Sequence, residues 1–63
     1  MINSQFSIGD IIQHVWNKYY YIILDRKETS NGIRYYTILD LNDNVQSSLL
    51  NGDTQYFDLI SKA

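Results

Sequence analysis

Residues 33–41, Ile33-Arg34-Tyr35-Tyr36-Thr37-Ile38-Leu39-Asp40-Leu41, decide the fold class of this chain. Ile33, Tyr35, Thr37, Leu39 and Leu41 alternate with Arg34, Tyr36, Ile38 and Asp40, and a helix would not keep that period of two. The stretch is also rich in β-branched and aromatic residues, which suit a pleated, half-buried surface. It predicts a long strand.

The segments on either side repeat the signal. On the N-terminal side, 26–32 (Arg26-Lys27-Glu28-Thr29-Ser30-Asn31-Gly32) is the most polar part of the chain and ends in Asn-Gly, a pair suited to a tight hairpin turn. It is the expected mobile loop. Before it, 19–25 is too apolar on both faces for a surface helix and predicts a second, largely buried strand. Earlier still, 11–16 predicts a first strand with Ile12, His14 and Trp16 on one face, and Asn17-Lys18 interrupts the two. After residue 41, Asn42-Asp43-Asn44 supplies a turn, 45–50 a fourth strand, and Asn51-Gly52-Asp53 a further turn. Thr54-Gln55-Tyr56 fits a single 3₁₀ turn before a short last strand at 57–61. The alternative at this end is a helix over 55–63, capped by Asp53, with Tyr56, Leu59 and Ile60 on one face.

The expectation is an all-β, five-stranded SH3-like barrel occupying 1–63 as a single domain, because a small twisted sheet avoids open edges best by curling. A chain of 63 residues buries only about 60% of the surface its unfolded form exposes, so stability must come from packing or from a partner. With no cysteine and one histidine, His14, neither a disulfide nor a zinc cluster is available. The longest apolar stretch, 19–24, is too short to cross a bilayer, and no secretory signal is visible. No membrane association is expected, and the absence of cysteine fits the cytoplasm or a virus particle assembled there.

Residue types also bound the chemistry. Nucleophilic catalysis needs a nucleophile beside a base, but cysteine is absent and the lone histidine lies in an apolar run, where a structural role is expected. The acids are dispersed over turns and strand ends, and Gly9 stands without a phosphate-binding motif, so no enzyme activity and no cofactor are expected. The reading of Ile8-Gly9-Asp10 is structural: the glycine permits an unusual backbone angle and the close passage of another segment. A net charge of −2 argues against a protein built to grip phosphates. Lys18, Arg26, Lys27 and Arg34 nonetheless concentrate in the first half, which keeps a small nucleic-acid-binding protein as the alternative.

The feature with functional promise is the aromatic fraction of 14%. Neighbouring strand residues point to opposite faces, so the core cannot hide every ring. The expected partner-binding residues are Trp16, Tyr19, Tyr20, Tyr21, Tyr35 and Tyr36, together with Arg26 and Lys27 of the adjacent loop, because tyrosine and tryptophan supply rigid amphipathic contact area. A second copy of the chain is among the partners considered.

The opening Gln5-Phe6-Ser7-Ile8-Gly9-Asp10-Ile11-Ile12-Gln13-His14, then Tyr21-Ile22-Ile23-Leu24-Asp25 and Tyr35-Tyr36-Thr37-Ile38-Leu39, resembles small SH3-like barrels. The YccV-like (HspQ, hemimethylated-DNA-binding) family shares the Phe6, Ile8, Gly9 and His14 positions and the tyrosine pair. Its long insertion between strands two and three is lacking, and Gln13 stands where that family usually has a basic residue. Short, uncharacterised SH3-like proteins of tailed bacteriophages are similar in length. This second resemblance implies a non-enzymatic protein–protein interaction module, phage-encoded, serving as a virion component or binding a host protein.

Overall fold

The computed structural model describes residues 6–63; the polar segment 1–5, which includes Gln5 of the opening motif, lies outside the described residues. The strands are β1 (Ile11–His14), β2 (Tyr20–Glu28), β3 (Arg34–Asp40), β4 (Gln46–Leu50) and β5 (Phe57–Ser61), with a 3₁₀ turn, Asn51–Tyr56, before the last. They form one antiparallel sheet in the order β4-β3-β2-β1-β5. The expected all-β, five-stranded fold is therefore the one observed, with β1 to β4 as a meander and the last strand returning to β1. Among the described residues no ladder joins β4 to β5, and the 3₁₀ turn connects those two edge strands.

The C-terminal segment is a strand and not a helix. His14 stands opposite Phe57 in the β1–β5 ladder, and the Val15 amide donates to the Tyr56 carbonyl at 2.9 Å. A helix over 55–63 would forfeit these pairings for a segment too short to be stable alone.

Several boundaries differ from the sequence reading, the 3₁₀ turn beginning at Asn51 and not at Thr54, and three strand ends shape the turns and the charged end of the sheet. β1 stops at His14, because residues 15–18 form the turn into β2, so Trp16 is not a strand residue. β2 runs on through Arg26, Lys27 and Glu28, which pair with Tyr36, Tyr35 and Arg34 of β3. The expected loop 26–32 shrinks to Ser30-Asn31-Gly32, closed by the Thr29 amide donating to the Ile33 carbonyl at 2.8 Å. Charged residues hold a strand here because the ladder with β3 runs on to the pairing of Glu28 with Arg34. Gly32 alone takes a positive φ, 85°, so the turn is the three-residue kind with a glycine bulge and not the two-residue Asn-Gly turn. The third boundary is at β3, which ends at Asp40 because that residue caps the next turn.

The buried apolar core consists of Phe6, Ile12, Ile23, Tyr36, Ile38 and Leu49, with Tyr21 and Phe57 packed against it. Alternation puts Ile23 opposite Ile38, and Tyr36 opposite Leu49, on the inner face. Between Ile23 and Asp25 the ladder slips and Leu24 is the extra residue, a bulge that sharpens the local twist. It also shifts the pairing of the rest of β2 by one place, although Arg26, Lys27 and Glu28 are all exposed. Arg26 consequently takes the position opposite buried Tyr36.

A corner at 6–10 ties the two ends of the fold together. The Gly9 amide donates to the Ile23 carbonyl at 2.8 Å, and the Asp10 carbonyl accepts from the Ile23 amide at 3.0 Å. Asp10 has no accessible surface, and its carboxylate accepts from the Ser7 amide at 2.8 Å and from the Ala63 amide at 2.9 Å. Those two backbone donors, Ser7 foremost, hold its pKa below the ordinary 3.8 despite burial, with help from the charge of Lys62. Gly9 has φ +93°, and a Cβ there would stand 2.8 Å from the Ala63 Cβ. Both parts of the structural reading of this glycine hold.

Candidate functional site

The turn 15–18 is built by the residues that flank it. The His14 amide donates to the Tyr19 carbonyl and the Lys18 amide to the His14 carbonyl, both at 3.0 Å. His14 Nδ1 accepts from the Trp16 amide at 3.1 Å and the Asn17 amide at 3.4 Å. The turn 41–44 has the same plan. Asp40 donates its amide to the Val45 carbonyl, the Asn44 amide returns to the Asp40 carbonyl, and Asp40 Oδ1 accepts from Asn42 and Asp43. Lys18 (φ 65°) and Asn44 (φ 59°) occupy the equivalent left-handed position. His14 thus does with an imidazole nitrogen what an aspartate does at the other turn, and as an acceptor Nδ1 carries no proton.

One consequence is directly measurable. Replacing His14 by phenylalanine keeps a ring against Phe57 but removes the acceptor, and is expected to cost about 1–2 kcal/mol in denaturant unfolding. Faster hydrogen exchange at the Trp16 and Asn17 amides should accompany it. Aspartate at the same position should preserve protection of those amides.

The turn carries an exposed aromatic surface. Trp16 is 74% exposed, and its ring lies 5.2 Å from that of Tyr56. His14 stacks edge-on against Phe57 at 5.0 Å and lies 5.7 Å from Trp16, and Phe57 in turn meets Tyr21 at 5.6 Å. The rings therefore run in a chain from half-buried Tyr21 to exposed Trp16. Further bonds fasten the turn, from the Val15 amide to Tyr56, from the Tyr19 amide to Asn17 Oδ1, and from Gln13 Nε2 to the Lys18 carbonyl. The backbone beneath this large exposed indole is firmly held.

The predicted residues separate into two regions and one exclusion. Trp16, Tyr19 and Tyr20 are exposed at the β1–β2 turn, where Tyr19 and Tyr20 line an open depression with Leu41 and Asn42. Tyr21 is half-buried in the ring chain. Arg26 and Lys27 are exposed at the far end of β2, beside half-buried Tyr35. Tyr36 corrects the expectation of a surface ring: it is 3% exposed, packs on Phe6 at 5.9 Å, and its hydroxyl accepts from the Phe6 amide at 3.3 Å. Parity explains the difference, since of two neighbouring strand residues only one faces the core.

Comparison with protein families, curated proteins and solved structures found no match to this chain. The surface must be read from its own residues. Tyr56 and Phe57 belong to it although only their pairing with β1 brings them there, and no local signal marks Phe57. Among the described residues, no group of three or more His, Asp or Glu side chains could hold a metal ion, and no helix is long and apolar enough to cross a membrane.

Proposed function

We propose that this domain is a non-enzymatic protein-binding module whose contact surface centres on Trp16 and Tyr56. The observation that carries the reading is the 74% exposure of Trp16 on a turn pinned by backbone and side-chain hydrogen bonds. Leaving so large a ring in water is unfavourable, and covering it with a partner recovers the apolar transfer energy. His14 is committed to the turn as an acceptor and to packing on Phe57, which accounts for it without catalysis. The resemblance to short tailed-phage proteins supplies the setting, in which the module joins parts of a virion or docks on a host protein.

The test is capture of a stoichiometric partner from virion fractions or host lysate, repeated with Trp16→Ala. The variant is expected to weaken binding at least about tenfold, as a central aromatic does, while folding stability moves by no more than about 0.5 kcal/mol. Full retention of the partner by the variant, or no stoichiometric partner for the wild type, would overturn the reading.

A further inference from the structure

Away from the Trp16 turn, Arg26, Lys27 and Arg34 line one open depression of about 300 Å³ with Glu28, Tyr35 and Asn51. Three of the five basic residues of the chain thus meet at one place, against one lining carboxylate, in a protein of net charge −2. The concentration follows from the fold. The Leu24 bulge shifts the charged end of β2 by one place, and the β2–β3 ladder sets Glu28 beside Arg34 and Lys27 beside Tyr35.

Internal pairing satisfies these cations unequally. Lys27 stands 3.8 Å from Asp25 and Arg34 3.7 Å from Glu28, both solvent-exposed pairs of the kind that contribute little. Arg26 makes no ion pair within 4.0 Å among the described residues. Its guanidinium is a planar fork of donors that matches a carboxylate or phosphate in two bonds, and the Asn51 amide stands at the same depression as a neutral donor. The site has the chemistry of a receptor for a compact anion.

The anion's source is narrowed by charge elsewhere. Nucleic-acid affinity grows with the number of phosphates neutralised, which needs a run of cations. Beyond this depression, residues 35–63 offer Lys62 against Asp40, Asp43, Asp53 and Asp58, and Asp53 lies on the same 3₁₀ turn as Asn51. A long polyanion would be repelled where a short acidic stretch would not.

We propose that this depression docks a short acidic segment of the partner protein, with Arg26 as the anchor; the inference rests on the protein-binding reading but uses the opposite end of the β2–β3 ladder. The full chain, isotope-labelled, is titrated with a short oligoglutamate peptide and separately with an oligothymidylate of equal charge. The peptide is expected to shift the resonances of residues 26–28, 34, 35 and 51 and to leave those of the Trp16 turn in place. Arg26→Gln should weaken it about tenfold, and added salt should weaken it further. Unchanged affinity in Arg26→Gln, shifts elsewhere, or tighter binding of the oligonucleotide would overturn the proposal. The two readings fail separately, because Trp16→Ala tests the partner surface and leaves the oligoglutamate titration unaffected.

Discussion

Replacing Asp10 by alanine is expected to remove about 3 kcal/mol or more, leaving the domain marginal or unfolded at room temperature. Two backbone donors, the Ser7 and Ala63 amides, end on this one inaccessible carboxylate. A hydrogen bond to a charged acceptor contributes about 1.5–3 kcal/mol, and Asp10→Ala removes two of them. A domain of 63 residues has a total stability of only about 3–9 kcal/mol. Asparagine keeps one acceptor oxygen, so Asp10→Asn should lose roughly half as much.

The same contacts set an acid dependence. The folded-state pKa of Asp10 lies below the ordinary 3.8, so its stabilisation is complete above that value and disappears as pH falls through the lower folded value. Urea midpoints measured from about pH 2 to pH 6 should drop toward acid in the wild type, and less steeply in Asp10→Asn. Parallel curves would show that Asp10 is not the group responsible.

Truncating Ile12 to alanine should cost about 2–5 kcal/mol, by the lost transfer energy plus the cavity left behind. Ile12 has no accessible surface and lies between Tyr21 of β2 and Leu59 of β5 in the two ladders of β1. Among the described residues the buried apolar set is small, Phe6, Ile12, Ile23, Tyr36, Ile38 and Leu49, which leaves little to collapse into the gap. Leu59→Ala, at a residue 42% exposed on the same ladder, is the control and should cost far less. Chemical denaturation with an unchanged m-value would report both as stability changes, and equal losses would contradict the assignment of Ile12 to the core.

The candidate surface was only partly legible in the sequence. Trp16, Tyr19 and Tyr20 are exposed as the aromatic surplus implies, although Trp16 reaches solvent from a turn and not from a strand face. Tyr35 and Tyr36 could not be told apart, because alternation says that neighbours diverge but not which one faces inward. His14 looked structural from its surroundings, yet its service as a turn cap is invisible until the Trp16 and Asn17 amides are placed. Arg26 read as a loop residue because polar segments ending in Asn-Gly usually turn. The β2–β3 ladder runs on past it instead, to the pairing of Glu28 with Arg34.

The amino-acid sequence by itself determined the class of this protein. A period of two over 33–41 is a local property of the backbone and survives whatever packs beside it, and the turn residues at 30–32 and 42–44 divide the chain into strands without reference to the core. Only the tertiary structure decided what the surface holds. The return of β5 to β1 sets Tyr56 beside Trp16 and Phe57 beside His14, and brings the Ala63 amide to Asp10. The bulge at Leu24 then sets which residue of β3 Arg26 pairs with. These are contacts between residues far apart in the chain, fixed by how the sheet twists and where its register slips, and no local pattern encodes either.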